Sequence, residues 1–219
     1  MVIDMQQHSL GPILGHIAGK PVHANQVTRK GARWDSGRMT PSDGQDTTSQ
    51  GVARRITEKA HQIVIYWSRS GATELLASKI ANLTNSDVCQ ITLTNPYPAD
   101  YLETRTRANR ERDTGLTPDL NMQLPDLTQY ETVYLGFQTW AMTLSQPLKA
   151  FLEAYGNELS GKRIMPFETN GGYGIGNCLD VMSQLLQISG ATNYTIERPL
   201  TIAGNQVDVA DTAVREWCD

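Results

Sequence analysis

The chain has 219 residues, enough for one ordinary domain with an extension or for two small domains. Hydrophobic residues make up 39% of it, mean hydropathy is −0.39, and no apolar run approaches the roughly 18 residues a membrane-spanning helix needs, so no such helix is expected. Charge is split: residues 1–60 hold 8 Lys/Arg against 5 Asp/Glu (net +3), residues 61–219 hold 11 against 18 (net −7), and the sum is the −4 of the chain. The acidic part argues against nucleic acid and for basic protein partners. A basic segment followed by an apolar core is missing from the N-terminus, so a signal peptide is not expected. Cys89, Cys178 and Cys218 are odd in number and far apart, which suits a reducing, cytoplasmic setting better than a disulfide framework.

Residues 1–60 have weak apolar periodicity, and Gly, Ser, Thr, Gln and Asp crowd 31–51. They read as an N-terminal extension, disordered or loosely packed, ahead of a domain over 61–219. His8, His16 and His23 have no metal-ligand spacing, and no metal is expected. From His61 onward strands and helices alternate. The apolar run Ile63–Trp67 reads as a buried strand, and Glu74–Leu83 as a helix with Leu75, Leu76, Ile80 and Leu83 near 3.6-residue spacing. A second strand is expected over Asp87–Leu93, an Arg-rich, solvated helix over Tyr101–Arg112, and a third strand over Thr132–Phe137. Then come a helix over Gln146–Tyr155, a strand over Arg163–Thr169, a helix over Ile175–Ile188, a fifth strand over Thr192–Leu200 and a closing helix over Asp208–Cys218. Five strands with helical or long crossovers predict an α/β fold, a parallel sheet with helices on both faces, and 2-1-3-4-5 is one of the two common orders. Ligands then sit beyond the carboxyl ends of the strands, so the informative loops follow strands 1, 3 and 4.

The first loop is Ser68-Arg69-Ser70-Gly71-Ala72-Thr73. Hydroxyls, a glycine and the amides at a helix start can hold a phosphate, although a plain strand–helix turn with a Ser or Thr cap has the same look. No Gly-Lys-Ser/Thr follows, so it is no P-loop, and one glycine makes no dinucleotide fingerprint. The second loop, Gln138-Thr139-Trp140-Ala141-Met142 and onward, places an indole where it can stack on a ring or merely plug the end of the sheet. The third, Asn170-Gly171-Gly172-Tyr173-Gly174, lets backbone amides converge on a planar polar edge and offers Tyr173 as a second aromatic wall.

These three stretches, SRSGAT, YLGFQTWAMTLSQPLKAFLE and PFETNGGYGIGNCLDVM, resemble the flavodoxin family, in the subgroup with a Trp-containing second loop and a Gly-Gly-x-Gly third loop. The likeness covers about residues 61–204. It implies a flavodoxin-like three-layer fold and FMN as cofactor, with the ribityl phosphate on Ser68–Thr73 and the isoalloxazine between 138–142 and 170–174. It also implies a monomeric electron carrier between a reductase and an acceptor, with no catalytic residue of its own and no membrane. Departures from the subgroup are Ala141 where a second Trp is frequent, Ser145 where Pro is usual, and Gln138-Thr139. An acidic surface near the flavin edge is expected to disfavour extra negative charge on the reduced cofactor and to steer basic partners. Two other functions fit the same loops. One is an NAD(P)H-dependent FMN reductase of quinone type, with Ala141 leaving the flavin face open; the other is a module that has lost its cofactor.

Overall fold

A computed structural model describes His16–Ile17, Lys20–Pro21 and residues 54–98 and 100–219. His16–Ile17 and Lys20–Pro21 form a two-stranded antiparallel pair. The rest of the expected extension up to residue 53 lies outside the described residues.

The sheet is built from β1 (Gln62–Tyr66), β2 (Asp87–Gln90), β3 (Thr132–Trp140), β4 (Arg163–Asn170) and β5 (Leu200–Ala203). All five are parallel, in the order 2-1-3-4-5, and Arg54–Arg55 adds an antiparallel edge on β2. The helices are α1 (Ala72–Thr84), α2 (Tyr101–Thr114), α3 (Gln146–Tyr155), α4 (Cys178–Ile188) and α5 (Asp211–Cys218).

The apolar runs are continuous because both faces of the sheet are covered. Alternate residues serve alternate faces. Ile63, Ile65, Trp67, Val133, Leu135 and Phe137 pack with α3 and α4, while Val64, Tyr66, Tyr134, Met165 and Phe167 pack with α1 and α5. The connection from α2 to β3 adds Leu120, Met122, Leu124 and Leu127 to the first face.

The fifth strand differs from the expected Thr192–Leu200. Thr195–Ile196 pairs with Arg163–Ile164, then Leu200 pairs with Phe167, so three residues on one strand face two on the other. The bulge falls where Pro199 faces the neighbourhood of Pro166, and neither has an N–H for the ladder. The strand therefore resumes at Leu200 and carries on to Ala203. The expected closing helix begins later too, at Asp211, after a 3₁₀ turn over Gly204–Val209.

One glycine sits mid-strand for a packing reason. Tyr66, Gly136, Phe167 and Leu200 form one row across the sheet. A Cβ on Gly136 would lie 2.3 Å from Phe167 Cζ and 2.8 Å from Tyr66 Cβ, and both neighbours are fully buried. Gly136→Ala is expected to cost about 1–3 kcal/mol through overpacking, read as a lower urea midpoint with an unchanged slope. An unchanged midpoint would show that the Phe167 ring moves aside freely.

Candidate functional site

Two sets of buried polar bonds fasten the carboxyl ends of the strands. On the α1 face, Gln138 and Thr169 are register partners on β3 and β4. Gln138 Nε2 donates to the Trp67 carbonyl and to Thr73 Oγ1, both at 2.5 Å, and the Thr73 and Thr169 hydroxyls lie 2.8 Å apart. This set joins the first loop to both central strands. On the opposite face stands Glu168, fully buried. Thr139 Oγ1 donates to its Oε2 at 2.9 Å, and Asn170 Nδ2 donates to its Oε1 at 2.8 Å. Asn170 Oδ1 in turn accepts the N–H groups of Gly172 at 2.6 Å and Gly174 at 3.3 Å. One carboxylate thus holds the second and third loops at once.

In the first loop, Gly71 takes the left-handed conformation at φ 85°, just before α1, and no side chain caps the helix. Ser68 Oγ accepts the Gly71 N–H at 3.1 Å. The first intrahelical bond runs from Leu75 N–H to the Gly71 carbonyl at 2.8 Å, so the N–H groups of Ala72 and Thr73 precede the helix ladder and stand at the positive end of its dipole.

The second loop is a two-residue hairpin. Thr139 pairs with Leu144 and Trp140 with Thr143, leaving Ala141 and Met142 at φ 49° and 61°. Two left-handed residues fit the twist of the strands, but neither Ala nor Met favours that conformation, at roughly 1–2 kcal/mol each. The turn is held from outside: Asn177 N–H donates to the Met142 carbonyl at 3.0 Å, and a Cβ on Gly176 would come within 2.1 Å of that oxygen.

The three loops and α2 enclose a cleft of about 700 Å³. Arg69, Ser70 and Ala72 reach it from the first loop, while Ser68, Gly71 and Thr73 stand behind and shape it. Gln138, Thr139, Trp140, Ala141 and Met142 all line it, as do Asn170, Gly171, Tyr173 and Gly174; Gly172 is set back. Trp140 is not a free stacking surface. Its ring meets Trp67 at 5.3 Å and Tyr97 at 5.2 Å, both edge-on, in a fixed aromatic trio. Tyr173 is 70% exposed at the rim.

The charge at the cleft departs from expectation. Its charged lining residues are Arg69, Arg105 and Arg112, with no Asp or Glu among them. The α2 charges do not form one solvated face either. Arg107 Nε donates to Glu111 Oε1 at 2.7 Å, the Arg107 guanidinium lies 4.2 Å from the centre of the Tyr97 ring, and the Tyr97 hydroxyl donates to Glu111 Oε2. Glu168, Thr169 and the α2 arginines are site residues that the sequence reading did not single out. The available signal was a polar run, Glu168-Thr169-Asn170, closing an otherwise apolar strand.

The site suits an anion joined to a planar polar group. Uncapped amides at α1 fit a phosphate, and Gln138 Oε1, buried against the cleft, has no donor among the described residues. A doubly wound parallel sheet of order 2-1-3-4-5 with a cleft at the strand 1/3 switch point defines the class. A sequence profile described as Flavodoxin matches residues 61–212, and the chain belongs to that family. No curated protein matches the sequence. Among solved structures, a candidate flavoprotein from Bacteroides eggerthii is 27% identical, with 74% of this chain and 97% of that one covered and a TM-score of 0.59. One from Bacteroides uniformis is 24% identical over 73% and 97%, also at 0.59. A Lactobacillus acidophilus flavoprotein in complex with FMN is 17% identical over 73% and 99%, at 0.57.

Burial pushes the Glu168 carboxyl up to about 7 from an ordinary 4.5, against the opposing pull of its hydrogen bonds. Between those values the folded chain binds the proton that the unfolded chain has released, so stability falls as pH rises through the window and levels off above it. The full effect is about 3 kcal/mol. In Glu168→Gln the amide oxygen can accept from Asn170 and the amide nitrogen can donate to Thr139. Denaturant unfolding near pH 5 and near pH 8 is expected to show most of the wild-type pH slope gone in this variant. An equal slope in both proteins would remove Glu168 as its source.

Proposed function

We propose that the chain is an FMN-binding electron-transfer flavoprotein. The observation that carries this is the uncapped N-terminus of α1 opening into a cleft whose far walls are a fixed indole and a glycine loop. The phosphate would be held by the first-turn amides of α1, with Ser70 and Arg69 beside them. The ring system would lie between Trp140-Ala141-Met142 and Gly171–Gly174. FMN supplies reversible transfer of one or two electrons when bound.

The chain's own residues bind, orient and tune. Gln138 offers a buried acceptor at the cleft wall, and the Glu168–Asn170 link presents the third loop. Trp67 and Tyr97 prevent Trp140 from swinging. Arginines at the cleft favour added negative charge on a reduced cofactor, so they raise its potential compared with an acidic site. Protein partners (a reductase and an acceptor), a monomeric state and a cytoplasmic setting belong to this reading. Among the described residues no helix is long and apolar enough to cross a membrane.

A second reading, a reductase acting on small molecules, is favoured by the open, arginine-lined space along α2. Adding FMN, removing the excess by gel filtration and reducing stepwise without oxygen separates the two. Retained flavin bands with a long-wavelength band that rises and then falls are the expected result for a carrier. Direct bleaching, and bleaching by NADPH with no added reductase, moves the reductase ahead. A colourless protein overturns both.

A further inference from the structure

We propose that the cleft-facing side of α2 is a binding site for a small planar organic anion, with its carboxylate, sulfonate or phosphate towards Arg105 and Arg112. The residues of α2 that line the cleft are Tyr101, Thr104, Arg105, Ala108, Asn109 and Arg112. Their spacing of three, four, seven, eight and eleven from the first is one face of a helix. This face has small or flat groups at its centre and a cation on either side of them. Arg105 and Arg112 are seven residues apart, about 10 Å along the axis.

Neither cation is used up by the fold. The ion pairs of Arg107 with Glu111, Lys79 with Asp211 and Arg163 with Glu197 leave Arg105 without a carboxylate among the described residues. Arg112 donates to Asn109 Oδ1 at 3.1 Å and to Asp113 Oδ1 at 3.1 Å. Asp113 is 67% exposed, and so solvated a pair yields readily to a better anion. Lys149 lies near Arg112: burial holds its ammonium below the usual lysine range, the Glu153 carboxylate opposes this, and the Arg112 guanidinium adds to the lowering.

The wall facing α2 supplies the complementary chemistry. Met142 and Tyr173 are exposed at the rim and present thioether and aromatic surface there. A ligand with a conjugated ring and one anionic edge would lay the ring against these rim side chains, beside the flavin's place rather than in it, and turn the edge to the guanidinium groups, which bind carboxylate and phosphate in a fork. The phosphate of the cofactor has its own place at α1. Arg69 marks the boundary, since its guanidinium lies 5.6 Å from the centre of the Tyr101 ring at the start of α2. From there α2 leads away from the first loop toward the second, where Gln146 Nε2 donates to the Leu116 carbonyl just past the helix.

The inference rests on the FMN reading only for what the ligand would exchange electrons with; binding itself does not depend on it. The test is equilibrium dialysis of the full chain, FMN added, against naphthalene sulfonate and against neutral naphthalene methanol. The sulfonate is expected to bind more tightly, and to weaken with added salt. Arg105→Ala with Arg112→Ala is expected to weaken the sulfonate by about tenfold or more and the alcohol by less than about twofold. Arg105→Lys with Arg112→Lys should recover part of the loss, which also controls for folding. Equal affinity for the two probes, or a sulfonate affinity indifferent to the arginines, overturns the site. If the double alanine variant instead releases FMN, the arginines serve the cofactor phosphate and the second-ligand site is wrong. If the wild type never retains FMN but the sulfonate still depends on the arginines, the flavin reading fails and this one stands.

Discussion

A single buried carboxylate sets the shape of the site. Glu168 has no contact with solvent, and both its oxygens are occupied by donors from loops that must stay in register with each other. Burying such a group is costly unless it is neutralised or well bonded, and the raised pKa shows that the cost is only partly offset. In return, Thr139 and Asn170 cannot drift apart. Asn170 passes the constraint to the amides of Gly172 and Gly174, and Thr139 anchors the base of the hairpin that carries Ala141 and Met142 in left-handed conformations. On the other face of the same two strands, Gln138 and Thr169 tie in Thr73 of α1. The loops are therefore parts of one cross-linked rim.

That rim explains how a strained turn survives at the ligand edge. Left-handed Ala and Met would relax in an isolated hairpin. Here the Met142 carbonyl is taken by Asn177, and Gly176 allows the approach because it has no side chain. Local charge follows a different logic from net charge. Residues 61–219 are acidic overall, yet the charged residues that line the cleft are all cations. A ligand a few ångströms away responds to those cations, because the distant acidic groups are screened within about a Debye length. The net charge of the sequence thus pointed to the wrong sign at the site.

The sheet order and the three ligand loops were legible because apolar runs, glycines and hydroxyls repeat at strand ends in a pattern that parallel sheets impose. Other features lay in relations that no window of sequence displays. The bulge before β5 arises from Pro199 meeting a strand that itself contains Pro166, a pairing that exists only after the fold forms. The hairpin after β3 has no Asn-Gly signal, since Ala141 and Met142 are forced into the turn by their surroundings. Glu168 begins a short polar run at the end of an apolar strand, but its partners Thr139 and Asn170 lie across the sheet and along the chain. The helix α2 is so polar that it looked wholly solvated. In fact Arg107 and Glu111 turn inward to Tyr97, while Arg105 and Arg112 face the cleft.

The most direct test of this account is a backbone amide NMR titration of the uniformly labelled full chain with FMN. The amides of Ser70 to Glu74, of Gln138 to Met142 and of Gly171 to Gly174 are expected to shift together at one stoichiometric equivalent, because one ligand would touch all three parts of a single rim. Shifts confined to one loop, or largest at residues remote from all three, would contradict the claim that these loops form one flavin site.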